Sequence, residues 1–116
     1  MDKAKKKELT EQYKETLLPM GVYQVRCLAE PAVYLAIAKN LKGKMNGDIF
    51  KLNSGNHTNR QLQQAWKKYG KDQFVIETLE ELDYNEKEPK ADYTEDLMLL
   101  LEYWTARLTE EKLRLY

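Results

Sequence analysis

Residues 20–40 read Met-Gly-Val-Tyr-Gln-Val-Arg-Cys-Leu-Ala-Glu-Pro-Ala-Val-Tyr-Leu-Ala-Ile-Ala-Lys-Asn. Val22 to Leu28 alternates as a strand does, with Val22 and Val25 set between Gln24 and Arg26. Ala29-Glu30-Pro31 supplies a turn, and Ala32 to Ile37 is a second short apolar run. Two such runs joined by so short a turn predict a β-hairpin, and the rest of the chain is arranged around it.

Downstream the period changes. Leu41, Met45, Ile49 and Leu52 predict a helix over 39–52, although Gly43 and Gly47 each weaken it by about 1 kcal/mol relative to alanine. Residues 53–56 form a loop. Thr58 or Asn59 caps a second helix whose apolar stripe is Leu62, Ala65, Trp66 and Tyr69, with Gly70 as its stop. Phe74 to Leu79 is a third strand, residues 83–93 are a polar loop, and Thr94 opens a further helix with Leu97, Leu100, Leu101, Trp104 and Leu108 on its buried side.

Upstream, Leu9, Tyr13 and Leu17 recur every fourth residue in a charged stretch that predicts a helix over 2–18, ended by Pro19. The expected architecture is therefore an α/β (α+β) sandwich. It has a small, mainly antiparallel three-stranded sheet flanked by helices, with residues 1–19 as an extra N-terminal helix and 20–116 as one domain.

At 116 residues, 42% of them hydrophobic, the chain is long enough for one real core. Cys27 is its single cysteine, so neither an internal disulfide nor a thiolate metal cluster can form. No apolar run approaches the length that spans a bilayer, so no membrane contact is expected and the cytoplasm is the expected compartment. Nineteen basic residues balance nineteen acidic ones. That balance argues against a nucleic-acid binder, which is ordinarily basic, unless the charges are segregated between faces.

Gly21-Val22-Tyr23 followed by Val33-Tyr34-Leu35-Ala36 resembles the paired half-motifs of the GIY-YIG endonuclease superfamily. The series continues through Ala38-Lys39-Asn40-Leu41-Lys42 and Ser54 to Asn59. It runs on through Leu62-Gln63, Ala65-Trp66, Lys68-Tyr69-Gly70, Phe74 and Leu79-Glu80 to Glu102-Tyr103-Trp104. Together these matches cover residues 20–108. The lysine-rich start, with Lys3, Lys5, Lys6 and Lys7, is similar to that of a short, degenerate Gram-positive bacterial subgroup of the same superfamily.

The resemblance implies a GIY-YIG-like fold and metal-dependent hydrolysis of a DNA phosphodiester, with magnesium as the expected ion. Carried over by position, Glu102 becomes the metal ligand, Tyr23 the hydroxyl beside the attacking water, and Tyr34 an orienting group. Lys44 takes the place of the family's helical arginine, while His57, Asn59 and Lys39 become candidate contacts to nucleic acid.

The departures are equally specific. Ala36 replaces the second motif's glycine, and Lys44 keeps the charge of an arginine without its bidentate geometry. Asp48 stands where a histidine is common and would put negative charge where a phosphate approaches. Loss of one transition-state donor costs about 100- to 1000-fold in rate.

Three functions are therefore in play. One is a degenerate nucleic-acid-binding or interaction module with weak or no nuclease activity, which the departures favour. The second is an active metal-dependent endonuclease. The third is a protein-interaction domain, using the N-terminal helix or the Leu97–Leu101 region to hold a partner or form a homodimer. Each residue also has a plainer reading: strand tyrosines are commonly half-buried core, and a helical glutamate is commonly a solvated edge.

Overall fold

The computed structural model describes residues 17–116. The expected N-terminal helix therefore falls almost wholly outside the described residues. Strands β1 (Met20–Cys27) and β2 (Ala32–Ala38) form the predicted antiparallel hairpin, with Val25 opposite Tyr34 and Tyr23 opposite Ala36. Helix α1 (Leu41–Ser54) follows, capped by Asn40, whose side chain accepts the Gly43 N–H at 3.1 Å. Gly55 closes it in a left-handed conformation, φ 78°, and donates its N–H back to the last turn.

Helix α2 (Arg60–Tyr69) is capped by Asn59, not Thr58, through a 3.1 Å bond from the Leu62 N–H. A single 3₁₀ turn leads into β3 (Phe74–Leu82), which pairs antiparallel with β1. Helix α3 (Thr94–Glu110) begins at the predicted residue. Its first turn is held by Asp92, which accepts from the Thr94 N–H and hydroxyl at 3.0 and 2.6 Å.

The sheet has four strands, not three, in the order β3-β1-β2-β4. The addition, β4 (Arg114–Leu115), runs parallel to β2, with Arg114 N–H bonded to the Pro31 carbonyl and Tyr116 N–H to that of Val33. Two residues cannot display the alternation by which a strand is recognised in sequence.

The pleat sorts side chains onto two faces. Tyr23, Val25 and the half-buried Tyr34, Ala36, Phe74 and Ile76 pack with Leu41 and Leu52 of α1 and with Leu62 and Trp66 of α2. On the other face Val33, with Leu35 and Leu79, packs against Leu108 of α3 and Leu113. The sheet thus separates the α1–α2 layer from α3.

β1 and β3 come unusually close at Gly21. A Cβ there would lie 2.0 Å from the Glu80 carbonyl oxygen, beside a register shift at Val22/Tyr23. The glycine is required by that approach, and it places Tyr23 one pleat further on, facing α1.

Candidate functional site

Beneath α1 three polar side chains meet inside the core. The Tyr23 hydroxyl donates to Asp48 Oδ2, and His57 Nε2 stands 3.1 Å from Asp48 Oδ1. None of the three exceeds 6% exposure. Each comes from a different element, so β1, α1 and the loop before α2 are fastened together at one carboxylate.

His57 is fixed from both sides. Its Nδ1 accepts the Asn59 backbone N–H at 3.0 Å, so in the neutral ring the proton sits on Nε2 and points at Asp48. The Gln63 side chain accepts the His57 N–H and donates to the Leu52 carbonyl, each at 3.0 Å, which ties the loop to the end of α1. Both ring nitrogens of His57 are engaged and the ring is enclosed in the core. The ring of Tyr34 meets those of His57 and Tyr23 edge-on, at 5.4 and 6.5 Å between centroids. Tyr34 is half-buried, so it is the member of this cluster that solvent reaches.

Burial raises the Tyr23 hydroxyl well above the ordinary phenol range, and the adjoining Asp48 carboxylate raises it further. Tyr34 is raised too, first by burial and then by the Asp48 charge, with the Tyr23 hydroxyl pulling the other way. Both phenols therefore remain protonated at neutral pH and act as hydrogen-bond donors.

The remaining predicted residues lie elsewhere. Lys44 is exposed on α1. Lys39, just after β2, is exposed and 3.8 Å from Asp92, a surface pair of small energetic weight. Asn59 spends its side-chain oxygen on the α2 cap. Glu102 projects from the outer side of α3 beside Met98, Leu99 and Ala106, in the layer across the sheet from Tyr23. The structure brings Tyr23, Tyr34 and His57 together and does not bring Glu102 to them.

Asp48 and Gln63 are the members that motif reading missed. The signal was in the helical phase: Asp48 follows Leu41 by seven residues and precedes Leu52 by four, on the buried stripe of α1. Gln63 adjoins Leu62 on the buried side of α2.

The metal implied by the family resemblance finds a poor donor set here. Magnesium takes oxygen ligands in near-octahedral array. Asp48 has an oxygen committed to each neighbour, and Glu102 is remote. Among the described residues no three His, Cys, Asp or Glu side chains converge to hold an ion. These residues do not fit a metal bound beside the two tyrosines.

Charge is divided along the chain. Residues 39–71 carry Lys39, Lys42, Lys44, Lys51, Arg60, Lys67, Lys68 and Lys71 against a single acid, the buried Asp48. All eight cations are exposed, and among the described residues only Lys39 has a carboxylate partner. Residues 72–116 reverse the balance, with thirteen acidic side chains against five basic. The basic stretch forms the α1–α2 layer, and the acidic stretch contains α3. A net charge of zero therefore conceals two layers of opposite sign.

No protein-family model matches the chain, and none of the curated proteins does. Among solved structures, the catalytic domain of the homing endonuclease I-TevI aligns with a TM-score of 0.66 at 22% identity, over 82% of this chain and 94% of that one. A point mutant of the same catalytic domain gives 0.65 and 22%, over 84% and 91%. The likeness is one of fold, and the fold is GIY-YIG-like. Among the described residues no helix is long and apolar enough to cross a membrane.

Proposed function

We propose that this nuclease-like domain binds the phosphate backbone of DNA across its α1–α2 layer and hydrolyses it weakly or not at all. The observation that carries the binding is the run of eight exposed cations between residues 39 and 71, opposed only by a buried aspartate. Backbone binding depends chiefly on such cations and needs no base-specific group. Lys44 contributes charge here as one of several, and Tyr34 supplies a hydroxyl at the same layer.

Weak turnover follows from the arrangement beneath. The Tyr23 hydroxyl is enclosed and donated to Asp48, so it neither reaches a substrate nor serves as a base. Glu102 stands across the sheet from it. A second reading, an active divalent-metal-dependent endonuclease, is favoured by one observation: the fold matches a catalytic domain.

Two measurements on the full chain separate the readings. Fluorescence anisotropy with a labelled duplex should show binding whose affinity falls linearly with salt on a log–log scale. Incubation of supercoiled plasmid with Mg²⁺ or Mn²⁺ should show no nicking above that of a Glu102→Ala control. Metal-dependent nicking lost in Glu102→Ala would establish the enzyme instead, and absence of salt-sensitive binding would remove the binding module.

A further inference from the structure

Phe50 stands alone on the basic layer. It is 72% exposed, the most exposed large apolar side chain among the described residues. Its place follows from the helical phase of α1. Successive residues turn by about 100°, so Phe50 lies about 160–180° from Leu41, Asp48 and Leu52, the buried residues of that helix. The ring therefore crowns the side of α1 that faces away from the core.

The ground around it is clear. The positions one turn away on the same side are Asn46, Gly47, Asn53 and Ser54, none with an apolar chain to lay against the ring. Ser54 turns its hydroxyl back to the Phe50 carbonyl, at 2.7 Å. A mid-helix glycine weakens a helix, and Gly47 has no packing reason to be there: a Cβ added to it would meet nothing within 4 Å. Gly43 differs, since a Cβ there would come within 2.6 Å of the capping Asn40 side chain. Gly47 thus leaves room beside Phe50 for a group that approaches the helix backbone.

The nature of that group is marked by charge. Lys44 and Lys51 lie about 100–120° to one side of Phe50 and Lys42 about 80° to the other, all exposed. The only acid of α1 is the buried Asp48. A protein interface ordinarily centres on a cluster of apolar side chains, and one ring among cations is not such a cluster. An aromatic face set between cations matches instead the make-up of a nucleic-acid strand, in which flat bases alternate with phosphates. Within a duplex the bases are stacked on one another, and opening a step costs energy. A base without a partner is taken out of the stack at least cost.

We propose that Phe50 stacks on an unpaired base of bound DNA while Lys42, Lys44 and Lys51 hold the flanking phosphates. The domain therefore prefers a duplex with an unpaired nucleotide to an intact one. This rests on the DNA-binding reading and adds to it the form of DNA that is preferred. Every base has a π-face, so the preference is for the unpaired state and not for a sequence.

The test is fluorescence anisotropy of the full chain with two labelled duplexes at matched salt, one intact and one carrying a single unpaired adenine. The parent should bind the second about 10-fold more tightly, the gain that one base–aromatic stack supplies. Phe50→Ala should bind both as the parent binds the intact duplex, with the salt slope unchanged because no cation is lost. In Phe50→Trp the preference should persist, and the added indole emission should be quenched by the duplex with the unpaired adenine and not by the intact one. The ring contributes little to the core, so neither variant disturbs the fold. Salt-sensitive binding without a preference, or a preference that survives in Phe50→Ala, would overturn this inference and leave the DNA-binding reading standing. No binding to either duplex would overturn both.

Discussion

The two faces of the sheet are built from similar materials and are put to different use. Each is apolar in the middle and covered by helix. The α1–α2 side is closed, with Leu41, Leu52, Leu62 and Trp66 buried, and it carries its cations on the outside. The α3 side is sealed only at Leu97 and Leu108, leaves Met98, Leu99 and Tyr103 more than half exposed, and sits within an acidic stretch. Overall charge is a poor guide to partners in such a molecule: at the Debye length of about 8 Å under physiological salt, a polyanion responds to the layer it approaches, not to the distant remainder.

That contrast is broken most directly by exchanging charge. Reversing Lys44, Lys51 and Lys67 to glutamate should lower duplex affinity about 1000-fold or more and reduce the slope of log affinity against log salt by about 3, one for each lost phosphate contact. Reversing Glu95, Glu102 and Glu110 to lysine, an equal and opposite change on α3, should leave the affinity within an order of magnitude. Anisotropy titrations at several salt concentrations read both. Equal responses from the two sets would mean that the layers do not act separately.

A second, somewhat smaller effect concerns what lies beneath the basic layer. Asp48→Ala removes the acceptor for two buried donors, the Tyr23 hydroxyl and the His57 ring. An unsatisfied buried donor costs about 1–3 kcal/mol, so a loss of about 2–4 kcal/mol is expected in urea unfolding. Asp48→Asn keeps one oxygen and should lose less. Glu102→Ala on the outer side of α3 should stay within about 0.5 kcal/mol of the parent. If Asp48→Ala were equally mild, the buried triangle would not be what joins β1, α1 and the loop before α2.

How much of this could be read in advance depends on the range over which each feature is encoded. The hairpin, the Asn59 cap and the start of α3 are local, set by alternation, by a capping side chain and by the Asp92–Thr94 pair, and they are legible within a few residues. β4 is not, because its two residues acquire meaning only beside Ala32 and Val33. Neither is the close approach at Gly21, which depends on Glu80 far along the chain.

Asp48 shows the limit most clearly. Motif alignment makes it an intruding charge at a phosphate site, whereas its phase on α1 makes it part of the core stripe. Tyr23 and His57 could be picked out as candidates, but that they satisfy this carboxylate is a fact of three elements meeting. The division of charge was legible in principle from the run between residues 39 and 71. Its assignment to one face required knowing that α1 and α2 share a side of the sheet.

The smallest effect at neutral pH is also the most specific to the buried side. Tyr23 and Tyr34 have hydroxyls raised above the ordinary phenol value by burial on the α1–α2 face. In the unfolded chain they ionise near pH 10, whereas in the folded domain they stay protonated beyond it. The unfolded state then binds fewer protons, so stability is fully present below about pH 10 and declines as pH rises above it. Tyr23→Phe should remove its share of that decline, so the parent and variant curves of unfolding free energy draw together between about pH 10 and 11. Urea titrations across that range decide the matter: a decline that survives in Tyr23→Phe at full steepness would show that the enclosed hydroxyl is not the group that titrates.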